Sequence, residues 1–167
     1  MPILSDRIQT PIGDMTLLAA DGVMLLLEFV DAEGRVEREI SARFSEAEIV
    51  PSANPFGFSD RIANYFAGDL HTIDTIPTDG GGTEFQRRVW AGLRQIPCGV
   101  TISYGELATR LGDKNAMRAV GLANGRNPIS IVVPCHRVIG ANGSMTGYGG
   151  GMARKEWLLR HEGALLL

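Results

Sequence analysis

Between residues 79 and 82 the chain reads Asp79-Gly80-Gly81-Gly82. Three consecutive glycines lose more backbone freedom on ordering than any other tripeptide, so a regular helix or strand is not expected to continue across them. The run also marks a change of charge. Residues 1–83 hold fourteen Asp/Glu against five Lys/Arg, a balance of −9, while residues 84–167 hold five against eleven, a balance of +6. The chain is therefore read as a first domain over 1–78, a linker over 79–83 and a second domain over 84–167. The basic balance of the second half fits an approach to a polyanion, and it equally fits two ordinarily solvated surfaces.

With 44% hydrophobic and 21% charged residues over 167 positions, the chain can bury a sizeable core, which excludes intrinsic disorder. Its longest apolar run, Val23 to Leu27, is too short to span a bilayer. No basic leader followed by an apolar stretch opens it, so a cytoplasmic protein is expected. Two cysteines and three histidines supply neither a disulfide framework nor the usual four-ligand zinc site, so no metal and no cofactor are expected.

The first half reads as α/β. Ile3–Thr10, Asp14–Ala20 and Val23–Val30 are apolar or β-branched runs, and Asp21-Gly22 between the last two predicts a tight antiparallel hairpin. Asp31 is placed to cap a helix with Val36, Ile40 and Phe44 along one face. Ser45–Phe58 reads as a connection, Ser59–Ala67 as a helix stopped by Gly68, and His71–Pro77 as extended.

The second half reads as mostly helical. Thr83 with Gln86 and Ser103 with Glu106 are capping-box pairs. The first opens a helix with Phe85, Val89, Leu93 and Ile96 in one stripe. The second opens a short helix ended by Gly112, and another runs from about Asn115 to Asn124. Two short helices joined by a tight turn fit a helix-turn-helix, and equally the paired helices of any helical domain. Trp90 and Trp157 sit on apolar helix faces and read as core.

Two thiols compete for a chemical role. Cys98, in Ile96-Pro97-Cys98-Gly99, has no His within ten residues and no carboxylate nearer than Glu106, and reads as a structural thiol. Cys135 follows the apolar run Ile131–Val133, expected to be a buried strand, and is followed by His136 and Arg137. Cationic and proton-accepting neighbours favour the thiolate, the nucleophilic form. A carboxylate on another element would orient the imidazole, and Glu162 is a candidate; His136 equally fits a satisfied core histidine.

Pro134-Cys135-His136-Arg137-Val138 resembles the active-site signature of the O6-alkylguanine-DNA alkyltransferases, suicide DNA repair proteins. Arg118-Ala119-Val120-Gly121, Asn127-Pro128, Thr146-Gly147-Tyr148 and Lys155 through Gly163 resemble the same family in order and spacing. The likeness is dense from Thr83 to Gly163, looser before it, and strongest to the constitutive bacterial type called Ogt. It implies an RNase H-like α/β domain with antiparallel strands, followed by a mostly helical domain with a helix-turn-helix of winged-helix type. It also implies methylated-DNA–protein-cysteine methyltransferase activity with a single turnover, no cofactor, and a monomer. The implied partner is double-stranded DNA bound through the minor groove, with O6-alkylguanine or O4-alkylthymine as the lesion.

The same resemblance assigns roles. Cys135 accepts the alkyl group, His136 deprotonates it through a water, Glu162 orients His136, and Asn127 holds the active-site turn. Arg118 enters the base stack, and Tyr104 crowds the 3′ phosphate. Tyr148 lines the alkyl pocket, the Gly149 amide meets O6, and the Cys135 and Val138 carbonyls face the exocyclic amine. The cysteine-ligated zinc of some members is excluded, because residues 1–83 contain no cysteine. A damage sensor of the alkyltransferase-like kind would have tryptophan at position 135, and a Cys-His acyl hydrolase would leave Arg118 without a role.

Overall fold

The computed structural model describes residues 2–143, 148 and 150–165. They divide into two compact units, Met1–Gly81 and Gly82–Leu167.

The first unit is built on a four-stranded sheet of order β3-β2-β1-β4, from β1 (Ile3–Ile8), β2 (Met15–Ala20), β3 (Val23–Phe29) and β4 (Ile49–Pro51). Asp21 and Gly22 both take positive φ, the geometry that a two-residue hairpin turn demands. β1, β2 and β3 pair antiparallel, but β4 adds to β1 in parallel, so the sheet is mixed and not purely antiparallel as expected. β4 and the 3-10 turn Pro55–Gly57 lie inside the stretch read as a connection. Three strand residues and a single turn are too short to show a period.

Leu17 pairs with Leu27 and Leu18 with Leu26; all four are fully buried. Successive strand residues face opposite ways, so both faces of the sheet are covered. One face packs Ile3, Leu18 and Leu26 against Val36, Ile40 and Phe44, the stripe of helix α1 (Arg35–Arg43) and its C-cap. Helix α1 is capped by Gly34 in the left-handed region, not by Asp31. Helix α2 (Phe58–Phe66) buries Phe58, Ile62 and Tyr65, and Asp6 on β1 accepts from Ser59 Oγ and the Asn54 amide. Residues 71–75 form turns where an extended segment was expected, with Asp74 N donating to the His71 carbonyl.

The second unit contains α3 (Glu84–Leu93), α4 (Tyr104–Arg110), α5 (Met117–Gly125) and α6 (Met152–His161), with a two-residue parallel pair, β5 (Ile102–Ser103) and β6 (Val138–Ile139). The Thr83–Gln86 capping box forms in both directions. At α4 the Ser103 hydroxyl accepts from the Glu106 amide, while the Glu106 carboxylate pairs with Arg110 one turn on. Trp90 is buried, with its indole N–H donating to the Ala123 carbonyl. Trp157 is only half-buried and stacks on His161, contrary to its reading as core. No described helix is long and apolar enough to cross a membrane.

Candidate active site

The thiol sits at the end of an irregular loop and not after a strand. Residues 130–132 are turns, and Ile131 is fully buried at φ +73°, a conformation costly for a β-branched residue. Its apolar run satisfies burial without making a ladder. Asn127 staples this loop: Nδ2 donates to the Ile129 and Val133 carbonyls at 3.2 and 2.8 Å, and Oδ1 accepts from the Ile129 amide at 3.0 Å. Pro134, at φ −83° and ψ 65°, then makes an inverse γ-turn closed by Cys135 N–H to the Val133 carbonyl. Cys135, His136 and Arg137 form one 3-10 turn, so His136 is not held on the opposite face of a strand from the sulfur.

His136, Arg137, Lys155 and Glu162 are all buried. His136 Nε2 lies 2.9 Å from Glu162 Oε2, with both side chains fully buried. Arg137 Nε and Nη2 donate to the two Glu162 oxygens at 2.9 and 3.1 Å, and Nη1 donates to the Ile96 carbonyl at 2.7 Å. Burial alone would raise the Glu162 pKa, but His136 and Arg137 together hold it well below the usual carboxylate range. Burial lowers the His136 pKa, and the pull of Glu162 only partly offsets this, so the ring is neutral at neutral pH. A neutral ring that donates Nε2–H to Glu162 leaves Nδ1 as the basic nitrogen. Nδ1 is buried without a hydrogen-bond partner among the described residues.

Lys155 is fully buried, and its Nζ donates to the Val138 carbonyl at 2.6 Å. Burial pushes its pKa down to about 8, and the field of Cys135 opposes that shift. Tyr104, the first residue of α4, lies against Gly121 of α5. Burial and the Cys135 field raise the pKa of its phenol, against a hydrogen bond from Asn124. Tyr148 is buried with its ring edge-on to His136, 6.5 Å between centroids. Arg118 is exposed on α5. Gly149, Thr146 and Gly147 lie outside the described residues.

The structure thus brings Cys135, His136, Glu162 and Asn127 into one buried assembly, with Tyr104, Val138 and Tyr148 beside it. It adds Arg137 as a second partner of Glu162, along with two residues that the sequence reading passed over, Lys155 and Asn124. Both had a signal. Lys155, Leu158, Leu159 and Glu162 recur at i, i+3, i+4 and i+7, as do Val120, Ala123, Asn124 and Asn127. A charge or amide inside the register of an apolar stripe marks a buried polar group. The described residues hold no group of three or more His, Cys, Asp or Glu suited to a metal ion.

Residues 84–164 match the family model described as the DNA-binding domain of 6-O-methylguanine DNA methyltransferase. The methylated-DNA–protein-cysteine methyltransferase of Salmonella typhimurium is 54% identical over 99% of this chain and 98% of its own length. That of Mycobacterium tuberculosis is 47% identical over 93% and 89%. Among solved structures, the Mycobacterium tuberculosis OGT in complex with DNA has a TM-score of 0.81 at 44% identity, covering 96% of this chain and 93% of that one. With a buried imidazole and carboxylate next to the cysteine, and relatives 47–54% identical over nearly the whole chain, the chain belongs to the methylated-DNA–protein-cysteine methyltransferase family.

Proposed function

We propose that this protein repairs DNA by moving an alkyl group from O6 of guanine, or O4 of thymine, irreversibly onto its own Cys135. The observation that supports this best is the buried Cys135-His136-Arg137 turn, locked to Glu162 on the last helix. Guanine O6 is inaccessible to an in-line protein sulfur inside a duplex, so the nucleotide is extruded first. α4 and α5 serve as a helix-turn-helix in the minor groove, in a second domain over 84–167 that follows an RNase H-like first domain. Exposed Arg118 fills the gap left in the stack, and Tyr104 crowds the 3′ phosphate. Tyr148 lines the alkyl pocket, and the Gly149 amide meets O6.

The thiol proton passes through a water to His136 Nδ1, and Glu162 stabilises the imidazolium that forms. The buried Lys155 ammonium favours the thiolate electrostatically. The sulfur forms a bond to the alkyl carbon as the carbon–O6 bond breaks and its electron pair stays on the base, which takes up a proton. The Cys135 and Val138 carbonyls accept from the exocyclic amine. Each oxygen has two acceptor positions, so the contacts from Asn124 and Lys155 are compatible with this role. A thioether offers no leaving group for hydrolysis, so each cytoplasmic monomer acts once, without cofactor.

Intact-protein mass after incubation with duplex DNA bearing one O6-methylguanine tests this reading. The expected product is one methyl group per chain, absent in Cys135→Ser and retained in Cys98→Ser. Tight lesion binding with no mass gain would replace repair by damage sensing.

A further inference from the structure

Asn124 lies in the buried register of α5 and is 1% exposed. Its Nδ2 donates to the Cys135 carbonyl at 3.4 Å, and the same side chain hydrogen-bonds the Tyr104 hydroxyl. The Tyr104 ring lies over Gly121, one turn earlier on the same helix. Asn124 Oδ1 is buried with no hydrogen-bond partner among the described residues. An orphaned carbonyl of this kind costs about 1–3 kcal/mol, so packing alone does not account for an amide here; leucine would fill a similar volume without that cost.

We propose that Asn124 is a positioning residue, whose amide ties the Tyr104 hydroxyl to the Cys135 carbonyl and so fixes the spacing of two groups that handle the extruded nucleotide. The inference rests on the alkyl-transfer reading and extends it to recognition of the purine. Tyr104 opens α4, whereas Cys135 ends the loop after α5, so the side-chain bridge supplies a link that backbone connectivity does not. A neutral amide suits the place. A carboxylate would donate nothing to the Cys135 carbonyl and would repel the thiolate beside it. The Cys135 carbonyl matters for a base bearing an exocyclic amine and has no such partner on hypoxanthine. Asn124 therefore contributes to discrimination between the two.

Single-turnover transfer rates on duplexes carrying O6-methylguanine or O6-methylhypoxanthine test this, in wild type, Asn124→Ala, Asn124→Leu, Tyr104→Phe and the Asn124→Ala/Tyr104→Phe double variant. Asn124→Ala and Asn124→Leu should each slow methylguanine transfer about tenfold, the worth of one hydrogen bond, and methylhypoxanthine transfer clearly less. The double variant should lose less than the product of the two single losses. Equal slowing on both lesions, a wild-type rate in Asn124→Leu, or multiplicative losses would overturn the positioning role. Absence of transfer in the wild type would instead overturn the alkyl-transfer reading beneath it.

Discussion

Among the described residues, the first unit buries one polar or charged side chain, Glu28, and the second buries seven: Asn124, Asn127, Ser130, His136, Arg137, Lys155 and Glu162. The first is a sheet covered on both faces by apolar side chains, and removal of that surface from water stabilises it. In the second, the desolvation of buried ions consumes much of what their mutual attraction returns. Such groups are poor stabilisers, yet their field acts with little screening at Cys135. The difference teaches where to look for chemistry. It is the unit whose interior is expensive that holds Cys135, the thiol proposed to react.

Glu162→Ala tests the expensive interior most severely. It strands the Arg137 guanidinium in a buried site, and the second unit should lose about 3–5 kcal/mol in denaturant unfolding. The corresponding change in the first unit, Glu28→Ala, should cost only about 1–2 kcal/mol, because the paired Arg35 side chain is 24% exposed and keeps access to water. Equal losses would break the contrast. Leu26→Ala should destabilise the first unit by about 2–5 kcal/mol through cavity formation, while alkyl transfer per folded molecule stays at the wild-type rate.

Acid sharpens the comparison without mutation. His136 is held below its ordinary 6.5 by burial, so the unfolded chain takes up a proton there that the folded chain refuses. Stability of the second unit therefore falls as pH drops below about 6.5, and Glu162, held below its ordinary 4.5, adds a further loss from there down. In the first unit, burial of Asp6 is outweighed by hydrogen bonds from Ser59, Asn54 and Arg7. Its contribution is lost only as pH falls below its ordinary 3.8. Both tryptophans lie in the second unit, so tryptophan emission during acid titration should report unfolding before hydrogen exchange detects loss of protection in the first. Lys155 acts in the alkaline range. Its proton leaves the folded chain at about 8 and the unfolded chain near 10.5, so stability of the second unit rises between those values. The smallest effect is local: Ser103→Ala removes the α4 cap and should cost about 1 kcal/mol in thermal unfolding.

Much of the architecture was legible because its signals are local. Asp21-Gly22 specifies a hairpin turn, Thr83 with Gln86 specifies a helix start, and glycines 80–82 fall where the two units divide. Two of the failures share one cause. β4 exists because β1 offers it an edge, and the Ile131–Val133 loop is buried by its surroundings and held by Asn127, so neither carries a period of its own. At the site, the meeting of Glu162 with the imidazole next to Cys135 was readable from residue chemistry and family likeness. The pairing of Arg137 with the same carboxylate, the burial of Lys155 and the Asn124 bridge depend on contacts between α5, α6 and the Cys135 turn, which no window along the chain contains.

The central claim is that the buried polar interior of the second unit serves the thiol more than the fold, and His136→Gln tests it most directly. The variant leaves the Arg137–Glu162 pair intact. The account predicts single-turnover transfer from O6-methylguanine slowed roughly 100-fold or more, with the melting temperature changed by only about a few degrees. Transfer at the wild-type rate in a folded His136→Gln protein would contradict it.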